Sequence, residues 1–194
     1  MSTVEDFVVE LKGSRARNAT KTRAAILIAA QSAFAARAYG QVGLREIATK
    51  AGVDPALVRR YFGSKEGLFK AALDDALDIG MLIDTPRERF GIHLAAFLIE
   101  GHNDRVNPLP IMMMAMADPA VRPIALDLLH SRVITPLARW IGGPNADRQA
   151  ARVSMLCSGF ISYVKLLPLD MFDGGVDQAT RGWLEGALQA AIAS

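Results

Sequence analysis

Residues 44–62 read LREIATKAGVDPALVRRYF, and the fold turns on them. Leu44, Ile47, Ala48 and Ala51 recur at helical spacing, which predicts a short helix over 44–51. Gly52 stands where a left-handed residue stops a helix. Asp54 and Pro55 then start another over 55–62, as N-cap and first helical residue. That helix hides Val58 and Phe62 and presents Ala56, Leu57, Arg59 and Arg60. Ala48 is small where the second helix must cross closely, and Ile47 and Val53 complete a local core. This is the layout of a helix-turn-helix, whose second helix lies in the major groove of DNA. Arginine can fork onto guanine O6 and N7, and a short side chain such as Ala56 can meet a thymine methyl. The alternative is a plain helical hairpin with two solvated arginines.

The flanks also read as helix. One helix is expected from Thr20, as N-cap, to Ala38, with Ile26, Leu27, Ala30, Ala33 and Phe34 as its apolar stripe. Ser64 caps a fourth helix, Lys65 to Ile79, through its hydroxyl alone. The free N–H groups at that start, with Lys65 beside them, suit a phosphate. Further helices are expected at 87–101, 108–117, 119–141, 145–167 and 176–192, with Asp118, Asn145 and Asp177 as caps. Pro123 and Pro136 should bend or break the third of these. The prediction is an all-α chain of about nine helices: a small basic unit, then a larger bundle. The expected division is a flexible basic arm over 1–18, a DNA-binding domain over 19–66 and an effector-binding and dimerisation domain over 67–194.

Composition agrees. Of 194 residues, 51% are hydrophobic and 22% charged, an ordinary globular balance and not a disordered one. The net charge of +2 hides a split: residues 11–70 carry twelve Lys and Arg against Glu46, Asp54 and Glu66, and residues 71–194 are net acidic. One basic region suits a polyanion and the rest another task. A single cysteine, Cys157, excludes an internal disulfide framework and a multi-cysteine zinc site. No apolar run reaches the length of a membrane span and no signal peptide is visible, so a cytoplasmic protein without a membrane partner is expected. His93, His102 and His130 lack metal spacing, and no nucleotide-loop, nucleophile-elbow or zinc-protease motif occurs. Neither enzyme activity nor a cofactor is expected.

Residues 21–70 resemble the DNA-binding domain of the TetR family of bacterial transcription regulators. The likeness is carried by Arg23-Ala-Ala-Ile-Leu-Ile-Ala-Ala, Phe34-Ala-Ala-Arg-Ala-Tyr39, Arg45-Glu-Ile-Ala48, Ala51-Gly-Val53 and Tyr61-Phe-Gly-Ser-Lys-Glu-Gly-Leu-Phe69. A looser likeness lies in Asp118-Pro-Ala-Val-Arg122 and Leu166-Leu-Pro-Leu169. The resemblance implies that Arg45 reaches a base edge and that Pro55, Ala56 and Leu57 face the groove. Arg59 stands where the family usually has a tyrosine. Arg60 and Tyr61 border the backbone, Lys65 holds a phosphate, and Arg17 and Lys21 complete the DNA-facing set. Val42-Gly43 replaces the usual hydroxyl residues before the second helix, which removes a cap and a phosphate contact. The basic arm, Lys12, Arg15 and Arg17, either adds a minor-groove contact or is a soluble tail.

The remainder should sense a ligand and dimerise. Phe90, Leu94, Phe97, Met112, Met113, Met116, Leu126, Leu129, Phe160 and Tyr163 are the candidate lining of an apolar effector site, or else packed core. Ala151, Met155, Ser158, Gly159, Ser162, Trp183, Leu184, Ala187, Leu188 and Ala191 are the candidate dimer face, or else intramolecular packing. The expected function is a homodimeric regulator with double-stranded operator DNA and a small apolar effector as partners, and more a repressor than an activator. The alternative is a helical protein–protein adaptor or a ligand-binding protein without specific DNA binding.

Overall fold

A computed structural model describes residues 4–101, 106–167 and 169–193, with side chains from Asn18 onward except that of Met81. Among these residues every regular element is helical. All nine expected segments are helices, and the chain divides into two compact units.

The first unit gathers the described residues up to Ala76 together with Pro110–Arg122. It contains α1 (Val4–Ala36), α2 (Leu44–Ala51), α3 (Pro55–Phe62), α4 (Lys65–Ala76) and most of α7 (Pro108–Met116). The helix expected from Thr20 starts at Val4, so Thr20 is an interior residue and not a cap. No proline lies between Val4 and Thr20, and Gly13 is the one strong helix breaker there, so little stops the helix from propagating. Phe34, Ile47, Val58, Leu68, Phe69 and Leu73 are fully buried in this unit. Phe34 and Phe69 meet edge to face at 5.2 Å, and Tyr39 stacks on Phe34 at 5.8 Å. Gln31, buried on α1, donates to the Ala72 carbonyl at 3.0 Å and to Asp75 Oδ2 at 2.9 Å. Its amide is thereby satisfied and ties α1 to α4. The unit therefore extends past the expected boundary at residue 66, because α4 supplies part of its core.

The second unit gathers the described residues of Leu77–Leu109 and those from Pro123 on. It holds α5 (Gly80–Ile83), a short turn of helix beyond the nine expected, and α6 (Phe90–Glu100). α8 (Arg122–Leu129), α9 (Thr135–Ile141), α10 (Ala146–Ile161) and α11 (Gln178–Ile192) follow. Pro123 neither bends nor breaks α8, because it lies in the first turn, where a missing N–H costs nothing. Pro136 is absorbed by a π-helical turn, His130–Ile134, in which the Thr135 N–H reaches back to the His130 carbonyl. The wider turn makes room for the proline ring. Asn145 stands at the N-cap of α10, but its side chain accepts no capping bond. Asp177 caps α11 as expected, its Oδ1 accepting from the Thr180 N–H at 2.7 Å, and that bond holds the carboxyl below the usual range.

The core of this unit is built from α6, α9, α10 and α11, and α6 meets α11 closely. Gly91 permits it: a Cβ there would lie 2.2 Å from the Glu185 carbonyl oxygen. The Gly91 N–H donates to Gln189 Oε1 at 2.9 Å, and Gln189 Nε2 donates to the Arg87 carbonyl at 3.0 Å. The Arg87 guanidinium donates to the Ile141 and Ile192 carbonyls, so one cation satisfies the C-terminal ends of α9 and α11. We expect Gly91→Ala to force α6 and α11 apart and to cost about 1–3 kcal/mol, read as a lower urea midpoint. An unchanged midpoint would show that the helices do not approach this closely.

Candidate nucleic-acid interface

The turn between α2 and α3 is fixed by backbone bonds. Gly52 adopts a left-handed φ of 66°. The Val53 N–H donates to the Ala48 carbonyl at 3.0 Å and the Gly52 N–H to the Thr49 carbonyl at 3.1 Å. This pair of bonds is a Schellman closure, which ends α2 and reverses the chain. Asp54 Oδ1 then accepts from the Ala56 N–H at 2.7 Å, with Pro55 at the first helical position, so α3 starts at once. Ile47, Ala48 and Val58 are buried beneath the turn. At the far end Ser64 Oγ accepts from the Gly67 N–H at 3.0 Å. A Cβ on Gly67 would lie 2.2 Å from the Phe62 carbonyl oxygen, so only glycine lets the end of α3 pass this close to α4.

Polar contacts brace α2 against α1 and the residue that follows it. Arg37 forms an ion pair with Glu46 on α2, and Lys50 Nζ donates to Ser32 Oγ at 2.6 Å. Arg23 lies over the Phe62 ring at 5.5 Å, at the C-terminal end of α3. Lys65 Nζ lies over the Tyr39 ring at 4.3 Å. Burial lowers the proton affinity of Lys65, and Asp118 opposes this by attraction. Burial raises that of Tyr39, and Glu66 and Asp118 add to the rise.

The candidate DNA-facing residues differ in exposure. Lys21, Arg45, Pro55, Ala56, Arg59 and Arg60 are exposed. Leu57, Tyr61 and Lys65 are half-buried, and Arg60 lies over the Tyr61 ring at 5.5 Å. The side chain of Arg17, with Lys12 and Arg15, lies outside the described residues. Val42 is buried and Gly43 occupies the N-cap of α2 with no side-chain bond, in keeping with the missing hydroxyls. Arg23, Tyr39 and Asp118 were not singled out from sequence for this surface. Arg23 and Tyr39 lie within the resembling stretches, but nothing in the linear pattern says that one cation covers Phe62 or that the other ring carries Lys65.

The candidate effector residues are divided between the two units. Phe90, Leu94 and Phe160 are buried in the core of the second unit, with Phe97 packed against them. Leu129 is half-buried, while Leu126 and Tyr163 are exposed. Met112 is buried and Met116 half-buried in the first unit, whereas Met113, one residue out of phase, is exposed. The dimer candidates also separate. Leu184, Leu188 and Ala191 do not present a face to a partner, because they are buried in their own unit's core, where α11 meets α6. Met155, Gly159 and Trp183 are exposed, and Ala151, Ser158, Ser162 and Ala187 are half-buried. His93 and His130 each meet a threonine hydroxyl, Thr85 and Thr135, at 3.2 Å, and His102 lies outside the described residues.

Comparison with known proteins agrees with this geometry. Residues 26–72 match the family described as bacterial regulatory proteins, tetR family, and residues 88–192 match the tetracyclin repressor-like C-terminal domain. The chain belongs to the TetR family and is a DNA-binding transcriptional regulator. A TetR-family regulator from Streptomyces coelicolor A3 is 26% identical, with a TM-score of 0.51 over 90% of this chain and 96% of that one. A transcriptional regulator from Rhodococcus sp. Rha1 is 20% identical, with a TM-score of 0.60 over 88% and 93%. NalD, the secondary repressor of the MexAB-OprM multidrug efflux pump in Pseudomonas aeruginosa, is 19% identical, with a TM-score of 0.60 over 88% and 96%. No protein of curated function matches the sequence. Among the described residues no helix is long and apolar enough to cross a membrane.

The cap on α3 is testable. Asp54→Ala removes the acceptor for the Ala56 N–H, and we expect a loss of about 1 kcal/mol in urea unfolding, with Asp54→Ser recovering most of it. Equal stability of Asp54→Ala and the parent would show that the bond contributes nothing.

Proposed function

We propose that this regulator is a homodimeric repressor that leaves its operator when a small apolar ligand binds. The observation that carries the DNA-binding part is the surface of α2 and α3: Arg45, Ala56, Arg59 and Arg60 are exposed together on a pair of helices whose turn is fixed by Gly52 and Asp54. A rigid pair of this kind can enter the major groove, where Arg59 reads a base edge and Lys65 and Tyr61 meet the backbone. The resemblance to NalD, a repressor, supports the sign of regulation.

An apolar ligand is assigned to the second unit, whose core holds Phe90, Leu94 and Phe160 with Phe97 packed against them. A ligand there acts through α4, whose tilt sets the spacing of two recognition helices in a dimer. Bound half-sites require a separation of about one helical turn of DNA. By linkage, a ligand that weakens DNA binding binds the DNA-bound form more weakly by the same factor.

The dimer contact is assigned to the exposed side of α10 and α11. Met155 is 65% exposed and Trp183 60%, and Gly159, Gly182 and Gly186 have open space around them. Large apolar side chains left in water beside small ones allow close helix packing. Trp183→Asp is expected to convert dimer to monomer in sedimentation velocity without lowering helix content. A variant that stays dimeric would place the contact elsewhere.

The roles of two cations separate the reading of bases from the holding of phosphates. Arg59→Ala should cost about 1–3 kcal/mol on the operator and little on random duplex, whereas Lys65→Ala should weaken binding to both alike. Equal losses for Arg59→Ala on both duplexes would remove its base-reading role.

A further inference from the structure

Two arginines of the first unit are seated on neighbouring rings. The Arg60 guanidinium lies 5.5 Å from the centre of the Tyr61 ring, and that of Arg23 lies 5.5 Å from the centre of the Phe62 ring. The two rings are themselves neighbours, tilted by 49° with centres 6.2 Å apart. The order in space is cation, ring, ring, cation. Arg60 and both rings belong to the last turn of α3, whereas Arg23 comes from α1. Two helices are thereby joined by a row whose outer members are both charged.

This row differs in chemistry from the other braces at α1. Arg37 is paired with the Glu46 carboxylate, which offsets its charge. Lys50 donates to the Ser32 hydroxyl. An aromatic face, by contrast, attracts a cation without neutralising it. A guanidinium above a ring keeps N–H groups for a second partner, and its planar fork matches two phosphate oxygens. Arg23 and Arg60 are both exposed residues, so such a partner can reach them. The ring also restrains the side chain beforehand, so less freedom is lost when an anion arrives. Helix polarity supplies a further reason for cations here. The end of α3 is the negative end of its dipole, about half an elementary charge, and alone it repels a phosphate. A helix laid in the groove therefore needs positive charge at that end to lie beside the backbone.

We propose that Arg23 is a phosphate-binding residue of the DNA interface: seated on Phe62 as Arg60 is on Tyr61, it brings a backbone contact from α1 to the C-terminal end of α3. The proposal rests on the reading of α3 as the helix that enters the groove. A phosphate contact is blind to base sequence, so it adds the same affinity on operator and on random duplex.

The test uses the full-length protein and a random-sequence duplex, with anisotropy across a potassium chloride series and urea unfolding of each variant. The variants are Arg23→Gln and Arg23→Lys. Arg23→Gln should lower affinity about fivefold to tenfold at about 0.1 M salt, the counterion-release share of one phosphate for each bound chain. The slope of log affinity against log salt should become shallower by about one per bound chain. Arg23→Lys keeps the charge, so the slope should stay at the parent value, with a loss of about twofold in affinity for the missing fork. A slope change in Arg23→Gln under about half of that expected would mean that Arg23 only covers Phe62 or adds general charge, whatever happens to the urea midpoint. Equal loss of slope in both variants would mean that charge is not what was lost. Either result overturns the proposal. If the parent binds no duplex, the reading of α3 fails, and the proposal fails with it. A parent that binds with a steep slope leaves that reading standing whichever way Arg23 behaves.

Discussion

Gly52 sets the geometry on which the DNA-facing surface depends. A left-handed φ of 66° is costly for a residue with a Cβ and easy for glycine. It allows the Val53 and Gly52 N–H groups to satisfy the last carbonyls of α2, and it turns the chain so that Asp54 can cap α3 two residues later. No loop residues are left over in which the angle between the helices could vary. The side-chain directions of Ala56, Arg59 and Arg60 are then fixed by the helix period alone. The same logic recurs at Gly67, where absence of a Cβ lets α4 begin directly beside the end of α3.

The basic charge of this region is divided between structure and recognition. Arg37 and Lys50 clamp α2 to α1, Arg23 covers Phe62, and Lys65 lies on Tyr39. These cations hold elements in place. Counting the basic residues therefore overstates the number that read sequence. The second unit uses a cation in the same way, with Arg87 joining the C-terminal ends of α9 and α11.

The helix-turn-helix was legible because its signals are local. Gly52, Asp54-Pro55 and Ser64 act within three or four residues of themselves, so the linear order reports them directly. What was not legible depends on partners far along the chain. The periodicity of α11 marks Leu184, Leu188 and Ala191 as an apolar face, but α6 of the same chain covers it, and the exposed Trp183 lies on another side. Met112 to Met114 read as one apolar run, yet the helix turns Met113 outward and the compact unit places Met112 with α1 to α4. Thr20 has the chemistry of a cap, but a cap forms only where the preceding chain leaves the helix, and here it does not. Pro136 announces a break, and a π turn accommodates it instead.

The central claim is that α3 reads a DNA sequence, and binding to the DNA upstream of the protein's own gene tests it most directly. Fluorescence anisotropy should be measured on that duplex and on a scrambled one across a salt series. The account predicts a preference of ~10³ or more for the upstream duplex, with affinity falling steeply as salt rises. Weak, equal binding to both, followed by no enriched site in a selection from random DNA, would contradict it.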